Sequence, residues 1–342
     1  MRSLLFTIAI LCSLASVAQK SKPLTTIAFG SCDHQYNPNK IWKEVNKENP
    51  QLWIWGGDII YGDSENMDTL RYKYSLQNAQ PGYQQLKKSA MITGTYDDHD
   101  FGVNDGGKNF KFKKESRDIL FEFLEVPAKD KARKHKGAYS SYVYGPKNKC
   151  VKVINLDTRY FRDSLERENY INPATNKTEY RYKRIEGRDI LGEAQWAWLE
   201  KELNNSKAQI NIINSSIQVV SEQHRFEKWA NFPTAHKRLY DLISRAKAKG
   251  IIILSGDRHT AELSKIHLEG MNYPLYDLSS SGMTHSSTIK VPEVNQYRVG
   301  ELIGQRNFGL IKIDWSSPKP QVTYRIIGKD NVVLGEHRLA IY

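Results

Sequence analysis

The sequence predicts an α/β protein in which a sheet-rich sandwich is flanked by helices. Three observations support this prediction. Short apolar runs rich in Ile and Val have the composition of strands that are buried on both faces of a sheet. Helical patterns separate several of these runs, which is typical of α/β proteins. The stretch from Gly309 to the end has the turn residues and the spacing of antiparallel strands.

The predicted elements follow one another in chain order. The apolar runs that predict strands cover Thr25–Phe29, Leu52–Trp55, Met91–Ile92, Val151–Leu156, Ile210–Ile213 and Ile251–Leu254. The patterns that predict helices cover Ile41–Glu48, Ser116–Leu124, Leu191–Leu199 and Ala235–Ala248. The predicted antiparallel strands cover Leu310–Trp315, Gln321–Ile327 and Asn331–Leu334. Each strand before this antiparallel part ends abruptly in polar, chemically capable residues.

Composition places few limits on function. The 342 residues are 39% hydrophobic and 26% charged, which is ordinary for a soluble globular protein. The formal net charge of +12 favours acidic ligands such as phosphates, nucleic acid, anionic lipid or polyanionic glycans. Solubility alone is the simpler explanation of that charge. No repeat, low-complexity tract or Pro-rich linker divides the sequence, so we expect a single domain over 19–342.

The N-terminus has the pattern of a cleaved secretory signal. Met1–Arg2 gives a charged start, Leu4–Val17 is a short apolar run, and small residues close it. The run is too short to be a convincing transmembrane helix. The sequence therefore predicts a signal peptide over 1–18 and an exported protein that resides in the periplasm, at the cell surface or in the medium.

The cysteines allow two interpretations. Cys12 leaves with the predicted signal, so Cys32 and Cys150 remain. In an exported protein their default state is a disulfide. Cys32 follows a strand, where its thiolate would serve as a metal ligand, whereas Cys150 begins an apolar run as an ordinary small hydrophobe. The sequence favours the ligand interpretation and leaves the disulfide as its alternative.

Carboxylates recur at the predicted strand ends. If these ends share one edge of the sheet, the carboxylates repel one another unless cations neutralise them. A metal site is therefore the simplest explanation. Cys32, Tyr61 and His259 offer thiolate, phenolate and imidazole, a set that suits a transition metal, and the phenolate favours ferric iron.

A second kind of metal is indicated by the remaining carboxylates. Asp98 and Asp257 offer hard oxygen ligands, which suit calcium, magnesium or manganese. Asp58 lies three residues before Tyr61 in the same loop, so its two oxygens are placed to bridge both ions. A two-metal centre of this kind activates a water and clamps the oxygens of a phosphoryl group.

Six short motifs follow one another from Ile27 to about Gly282. They are Gly30-Ser31-Cys32, Gly57-Asp58-Ile59-Ile60-Tyr61, Tyr96-Asp97-Asp98-His99-Asp100, Leu156-Asp157-Thr158-Arg159, the run from Leu191 to Leu199, and Gly256-Asp257-Arg258-His259. In this order they resemble the motifs of the PhoD-like alkaline phosphatases, within the purple-acid-phosphatase-like metallophosphoesterases. No single motif is decisive, and the resemblance depends on the ordered set.

The resemblance implies a four-layer α/β/β/α sandwich and an exported phosphomonoesterase or phosphodiesterase. It implies that ferric iron is held by Cys32, Asp58, Tyr61 and His259. It implies that calcium is held by Asp58, Asp98 and Asp257. Mn²⁺ and Zn²⁺ remain alternatives for the metals. The expected partner is a phosphate ester, with no obligatory nucleic acid and no transmembrane segment.

The resemblance also implies two catalytic residues. His99 would face the leaving group as a general acid or as a donor that orients phosphate. Arg159 would neutralise phosphate oxygens by bidentate contact. We expect Asp97 and Asp100 to support their loop by hydrogen bonds, and Asp157 to orient Arg159.

One ligand of the second metal stays open in the sequence. The wider superfamily has a lone histidine between the second and last motifs, and the nearest residues here are Ser216 and Gln218. Asn104 is a third candidate, although Asn104 to Gly107 also reads as a turn.

Other functions stay open as alternatives. Cys32 would act as a covalent nucleophile if His34 or His259 served as its base. A non-catalytic, cation-stabilised protein that binds polyanions would show salt-sensitive binding without turnover. Among hydrolases, a secreted phospholipase or polymer-directed phosphodiesterase is a further alternative.

Overall fold

A computed structural model describes residues 22–38, 40–173, 175–287 and 293–342. The predicted signal peptide at 1–18 lies outside these residues. Among the helices that they form, none is both long enough and apolar enough to cross a bilayer.

Strands dominate the described part of the chain. Numbered in chain order, they are β1 (Thr26–Gly30), β2 (Leu52–Gly56), β3 (Met91–Thr95), β4 (Ser140–Tyr144), β5 (Val151–Asn155), β6 (Arg167–Asn172), β7 (Lys177–Tyr182), β8 (Ile210–Asn214), β9 (Ile251–Ser255), β10 (Ala261–Ile266), β11 (Leu275–Ser280), β12 (Arg298–Ile303), β13 (Asn307–Asp314), β14 (Gln321–Gly328) and β15 (Val333–Leu339). The helices are α1 (Trp42–Lys47), α2 (Met67–Asn78), α3 (Pro81–Ser89), α4 (Asp98–Phe101), α5 (Lys113–Phe123), α6 (Gly192–Asn204) and α7 (Pro233–Arg245). Single 3₁₀ turns cover Lys131–Lys134, Trp229–Asn231 and Lys329–Asn331.

The strands form two large sheets and one separate hairpin. The first sheet has the order β15-β14-β13-β1-β2-β3, and the second has the order β12-β10-β11-β9-β8-β5-β4. In the first sheet β1, β2 and β3 are parallel, and in the second β5, β8, β9 and β11 are parallel. The hairpin pairs β6 with β7 outside both sheets. The C-terminal strands β13, β14 and β15 are antiparallel, which confirms that prediction.

Three apolar clusters show that the elements stack in four layers. Between the sheets, side chains such as Ile54 of β2 pack with Ile212 of β8. Trp53, one residue earlier on β2, points to the opposite face and packs with α1, α2, α3 and α5. On the outer face of the second sheet, Ile213 packs with α6 and α7. Because alternate residues of a strand face opposite sides, strands that are apolar throughout are buried on both faces here. The predicted α/β/β/α sandwich is confirmed.

Two elements of the first helical layer were missed in the sequence. Helix α2 buries only Leu70, Tyr74 and Gln77, and helix α3 buries only Tyr83 and Leu86. In α2 a stripe this narrow gives a weak periodic signal, because most positions stay polar. Helix α3 has only nine residues, which is short for a helical pattern to be recognised in the sequence. The last predicted strand was also displaced, since residues 329–331 form a 3₁₀ turn and β15 begins at Val333.

Candidate metal centre

The carboxyl ends of the parallel strands from both sheets meet at one edge of the sandwich. Gly256 follows β9, and a Cβ atom there would lie 2.4 Å from Ser31 Oγ and 2.7 Å from the carbonyl oxygen of Gly56. Only glycine allows the two sheets to approach so closely without displacing this backbone. The loops after β1, β2 and β9 therefore deliver their polar residues to one place, as the sequence predicted.

Six described non-glycine residues in the loops after β1, β2, β8 and β9 have a left-handed backbone conformation. Their φ angles are 61° at Cys32, 49° at Asp58, 43° at Asp63, 59° at Ser216, 67° at Asp257 and 54° at His259. Such conformations each cost about 1 kcal/mol or more, and they cluster at functional sites. Four of the six are residues that the sequence assigned to metals. The strained backbone conformations therefore occur mainly at residues whose polar side chains belong to the site.

Three groups of potential metal ligands overlap at Asp58. Within each group, one ligand atom from every member lies within 4.8 Å of the others. The groups are Cys32–Asp58–His259, Asp58–Asp98–His99 and Asp58–Asp97–Asp98–Asp257. Asp58 belongs to all three, so its carboxylate is the side chain that the groups share.

Tyr61 joins the first of these groups. Its Oη atom lies 3.0 Å from His259 Nε2 and 3.1 Å from His285 Nε2. On the other side, Cys32 Sγ lies 3.4 Å from Asp58 Oδ2. The thiol, phenol and imidazole that the sequence identified as a set suited to a transition metal therefore surround one point.

Buried carboxylate oxygens without partners indicate that cations fit this site. Among the described residues, Asp58 Oδ1, Asp97 Oδ2 and Asp98 Oδ1 have no hydrogen-bond partner. All three carboxylates are at most 5% exposed. A buried ionised carboxylate without a partner is strongly unfavourable, so such groups are normally paired or bound to metal. The donors present match hard oxygen ligands beside a softer set.

The pKa values of the potential ligands also indicate that cations fit this site. Burial raises the pKa of the Cys32 thiol well above its ordinary value, and the carboxylates of Asp58 and Asp257 raise it further. Burial likewise raises the pKa of Asp58 and of Asp257 well above the ordinary range. Burial lowers the pKa of His259 to about 3, so its imidazole is neutral. Metals bind thiolate, carboxylate and neutral imidazole, so cations binding here would release protons.

His99 is held as a cation at the rim of the site. Its Nδ1 lies 2.7 Å from Asp63 Oδ1. Burial lowers the pKa of His99, but the carboxylates of Asp58, Asp98 and Asp63 raise it more, so the pKa is about 11. Within the described residues Nε2 has no hydrogen-bond partner, which leaves one N–H available at the rim.

Arg159 lies below the site rather than on its surface. It is 0% exposed, and its guanidinium forms ion pairs with Asp97 and, at 2.7 Å, with Glu227. The same guanidinium lies 3.9 Å from Asp98. Carboxylates accept from Nε and Nη1, whereas Nη2 has no hydrogen-bond partner within the described residues. The bidentate phosphate contact expected from the sequence therefore stays a prediction. What Arg159 does here is balance the charge of buried carboxylates.

The acidic residues expected to support loops do so. Asp157 Oδ1 accepts a hydrogen bond from the backbone N–H of Arg159 at 2.9 Å and so fixes that turn. Asp100 accepts from the backbone N–H groups of Asp97 and Ile59, at 2.6 and 3.0 Å. Asp97 combines two roles, since it holds Arg159 and also belongs to the acidic ligand group.

The three candidates for the open ligand position each make a side-chain hydrogen bond. Ser216 Oγ donates to Asp97 Oδ1 at 3.0 Å. The NH₂ group of Gln218 donates to Glu262 at 2.8 Å, and that of Asn104 donates to the neighbouring aspartate. These bonds leave the amide oxygens of Gln218 and Asn104 as potential ligand atoms, and Asp97 is an additional member of the acidic group.

Within the described part of the chain, Cys32 forms no disulfide, and His259 belongs to the same ligand group as its thiol. Cys32 and Cys150 are both free and buried, and Cys150 Sγ contacts the carbonyl oxygen of Lys147 at 3.5 Å. His34 packs on the ring of Tyr61, with ring centroids 5.0 Å apart. The disulfide alternative is therefore not realised.

A cavity of about 370 Å³ opens above these groups. Among the predicted site residues, Asp98, His99, Asp257 and His259 line it. The cavity lining does not include Cys32, Asp58 or Tyr61. The side chains of Cys32 and Asp58 are buried beneath it. The potential metal ligands therefore lie at the base of a pocket that is open to small molecules.

Comparison with known proteins identifies the family. The model of PhoD-like phosphatases matches residues 27–282, which is most of the chain. The chain belongs to the PhoD-like phosphatase family. The matched range includes every residue that the sequence assigned to the site.

Two individual PhoD relatives agree with this assignment. Alkaline phosphatase D of Bacillus subtilis (strain 168) is 24% identical over 285 residues, which cover 72% of this chain and 48% of that protein. The chain thus spans about half the length of that curated relative. A solved structure of PhoD superposes with a TM-score of 0.71 at 16% identity, covering 94% of this chain and 72% of that one, and it supports the fold.

Some residues of this PhoD-like site were not assigned from the sequence. His285 contacts Tyr61 through its Nε2 atom. Glu227 and Arg258 line the cavity. Only Arg258 carried a signal, because it lies inside the motif Gly256–His259. Glu227 lies in an irregular segment without a motif, so no pattern in one sequence indicates it.

Proposed function

We propose that this chain is an exported, metal-dependent phosphoric-ester hydrolase with phosphomonoesterase or phosphodiesterase activity of the alkaline phosphatase D type. One observation carries the proposal: Asp58 is shared by three buried ligand groups at the floor of an open cavity. Carboxylates in this arrangement need cations, and two adjacent cations suit the in-line displacement at phosphorus. Family membership supports the same reaction class.

The proposed metals are Fe³⁺ and Ca²⁺. The iron ligands would be Cys32, Asp58, Tyr61 and His259, and the calcium ligands would be Asp58, Asp98 and Asp257, with Asp97 adjacent. The softer donors of the first set and the hard oxygens of the second support this order of ions. When bound, the two ions would supply Lewis acidity and a water nucleophile at neutral pH.

The protein side chains would handle the leaving group and the charge. His99 lines the cavity as a cation held by Asp63, so it would deliver a proton to the departing alcohol through Nε2. Cations on Asp58 and Asp98 would cancel the negative charge that raises the pKa of His99, which would make it a stronger acid. Arg159 would neutralise the carboxylate of Asp97 through their ion pair. Asp97 begins the loop that carries Asp98 and His99.

The geometry favours this function over the two alternatives. Covalent catalysis at Cys32 needs a thiolate and a base, yet burial and adjacent carboxylates raise the pKa of Cys32, and His259 belongs to its ligand group. A pure polyanion-binding protein has no need for a thiol, a phenol and imidazoles around one point.

The decisive experiment is a metal analysis with hydrolysis assays on one preparation. Protein is purified without added metal, its iron and calcium are measured, and p-nitrophenyl phosphate and bis(p-nitrophenyl) phosphate are offered as substrates. We expect bound metal, turnover of at least one ester, and loss of turnover on chelation. An Asp257→Asn variant should lose metal and activity together, whereas Asp241→Asn, on the exposed face of α7, should keep both. A metal-replete, folded protein that hydrolyses neither ester would refute the proposal.

A further inference from the structure

The β6–β7 hairpin overhangs one side of the cavity. Arg167 and Tyr182 are directly paired across its two strands, and Tyr180 lies two residues from Tyr182 on the same face. All three line the cavity, together with Arg225 and Phe226 from the loop that precedes the Trp229 turn. These five residues form one wall of the cavity, along which a larger substrate has room to extend.

Arginines and aromatic rings alternate along the wall. Arg258 Cζ lies 4.0 Å from the ring centroid of Phe226, and Arg225 Cζ lies 4.6 Å from the same centroid. Arg225 Cζ also lies 5.1 Å from the centroid of Tyr180, and Arg167 Cζ lies 4.6 Å from it. These cation–π contacts hold the guanidinium groups in a row. The row starts beside the metal groups, because Arg258 lies between Asp257 and His259 in sequence.

Arg225 is the member of this row with the most hydrogen-bonding capacity to spare. Its Nε lies 3.6 Å from Glu179, and its side chain is 32% exposed. Within the described residues, its two Nη atoms have no hydrogen-bond partner. A guanidinium that is fixed by its rings and keeps its outer edge open matches the oxygens of a phosphate.

The other two arginines are more fully paired. Arg167 donates to Asp105 at 2.8 Å, and Arg258 donates to Glu293 at 2.7 Å. Arg167 still has a half-exposed side chain, whereas that of Arg258 is 8% exposed. Arg225 is therefore the main contact for an incoming anion, and Arg167 is the second.

We infer that Arg225 and Arg167 form an anion subsite for a second phosphate group, on the same substrate molecule as the phosphate that is hydrolysed. The preferred substrates are then phosphoric diesters that carry a further phosphate. This inference rests on the proposed hydrolase function and specifies its substrate class. The subsite is separate from the metal groups, because neither arginine belongs to them.

Two chromogenic diesters that differ by one phosphate test the subsite. They are the p-nitrophenyl ester of thymidine 5′-phosphate and the same ester with an added 3′-phosphate. The measured quantity is the ratio of initial kcat/KM values for the two esters. One charge-assisted hydrogen-bonded contact corresponds to a preference of about tenfold for the second ester. We expect Arg225→Gln to bring this ratio close to one.

Arg181→Gln is the matched control. Arg181 belongs to the same hairpin but stacks on Tyr170 and pairs with Glu168, away from the cavity row. Arg181→Gln removes the same charge as Arg225→Gln. A general electrostatic effect would therefore change the kcat/KM ratio equally in both variants, whereas the subsite predicts an unchanged ratio in Arg181→Gln.

The possible results separate the two proposals. If the ester without the 3′-phosphate is hydrolysed and the ratio is near one, or equal in all three proteins, the subsite is refuted and the hydrolase stands. If folded, metal-loaded protein hydrolyses neither ester, nor the two nitrophenyl phosphates above, the hydrolase proposal fails and the subsite fails with it.

Discussion

His285 Nε2 lies 3.1 Å from Tyr61 Oη, which also lies 3.0 Å from His259 Nε2. The position of the ring is fixed, because His285 Nδ1 lies 3.0 Å from Thr284 Oγ1, which in turn lies 3.1 Å from the Cys32 carbonyl oxygen. His285 is therefore placed to donate to a phenolate rather than to serve as one of the clustered ligands. Partners of this kind fix the orientation and charge of a metal ligand.

Replacing His285 tests this role. We expect His285→Ala to lower metal affinity or kcat/KM by about 10- to 100-fold, the usual effect of removing a partner of a metal ligand. Metal retained after dialysis against graded chelator is the measurement that does not depend on turnover. His267→Ala, an exposed histidine on the loop after β10, is the control. Equal metal retention and kcat/KM in both variants would contradict the role.

Removing metal should destabilise the protein, and Asp58 should be required for the response. Metal present at 100 times its dissociation constant stabilises the folded state by about 2.7 kcal/mol. We expect Asp58→Asn to lose this response. Without metal, the variant should be at least as stable as the wild type, because an amide replaces a buried carboxylate beside Asp97 and Asp98. Thermal unfolding with chelator and with added calcium measures both effects, and a retained calcium shift in the variant would be evidence against bridging.

The location of the site was predictable because strand direction determines it. Parallel strands of one sheet send their carboxyl ends to one edge, so the residues after β1 and β2 meet, and the packing of the two sheets brings those after β9 to the same place. Cys32, Asp58 and Asp257 could thus be assigned together from short apolar runs. The backbone strain at the same residues was not predictable, since left-handed conformations at non-glycine positions leave no mark in the sequence.

Arg159 shows what a single sequence could not provide. Its motif position suggested contact with substrate, and the structure adds an ion pair of its Nη1 with Glu227, 68 residues further along the chain. Such a pairing depends on how an irregular loop folds back, which apolar periodicity does not encode. The β6–β7 hairpin was missed for a related reason, because its strands are largely exposed and lack apolar alternation.

The position of Arg159 leads to a stability prediction. Removing one partner of a buried ion pair costs about 3–5 kcal/mol, because the other charge is left uncompensated. We therefore expect Arg159→Gln to lower the free energy of unfolding by about this amount, leaving Asp97 and Glu227 without their cation. Urea unfolding of chelator-treated protein is the measurement, with the exposed-pair variant Arg181→Gln expected to change stability by less than about 1 kcal/mol. Unchanged stability with a large loss of kcat/KM would instead favour direct phosphate contact by Arg159.

His236 gives a prediction on pH that is independent of the metal centre. The side chain on α7 is 4% exposed, and burial lowers its pKa from 6.5 to about 4. Between these two values the unfolded state binds a proton that the folded state does not, so stability rises with pH in this window. The contribution of His236 is complete above about pH 6.5 and is lost as the pH falls towards 4, by about 3 kcal/mol.

The comparison with His236→Gln isolates this effect from other acid-sensitive groups. Wild type and variant are unfolded in urea at several pH values from 4 to 8, both with chelator present, so that metal loss is common to the two. Gln cannot gain a proton, so the stability of the wild type relative to the variant should fall as the pH decreases below 6.5. The ring of His236 packs on Tyr240 at a centroid distance of 4.3 Å, and Gln loses that contact at every pH. The packing loss is thus a constant offset, and a stability difference that does not change with pH would show that burial of the neutral imidazole has no influence on acid unfolding.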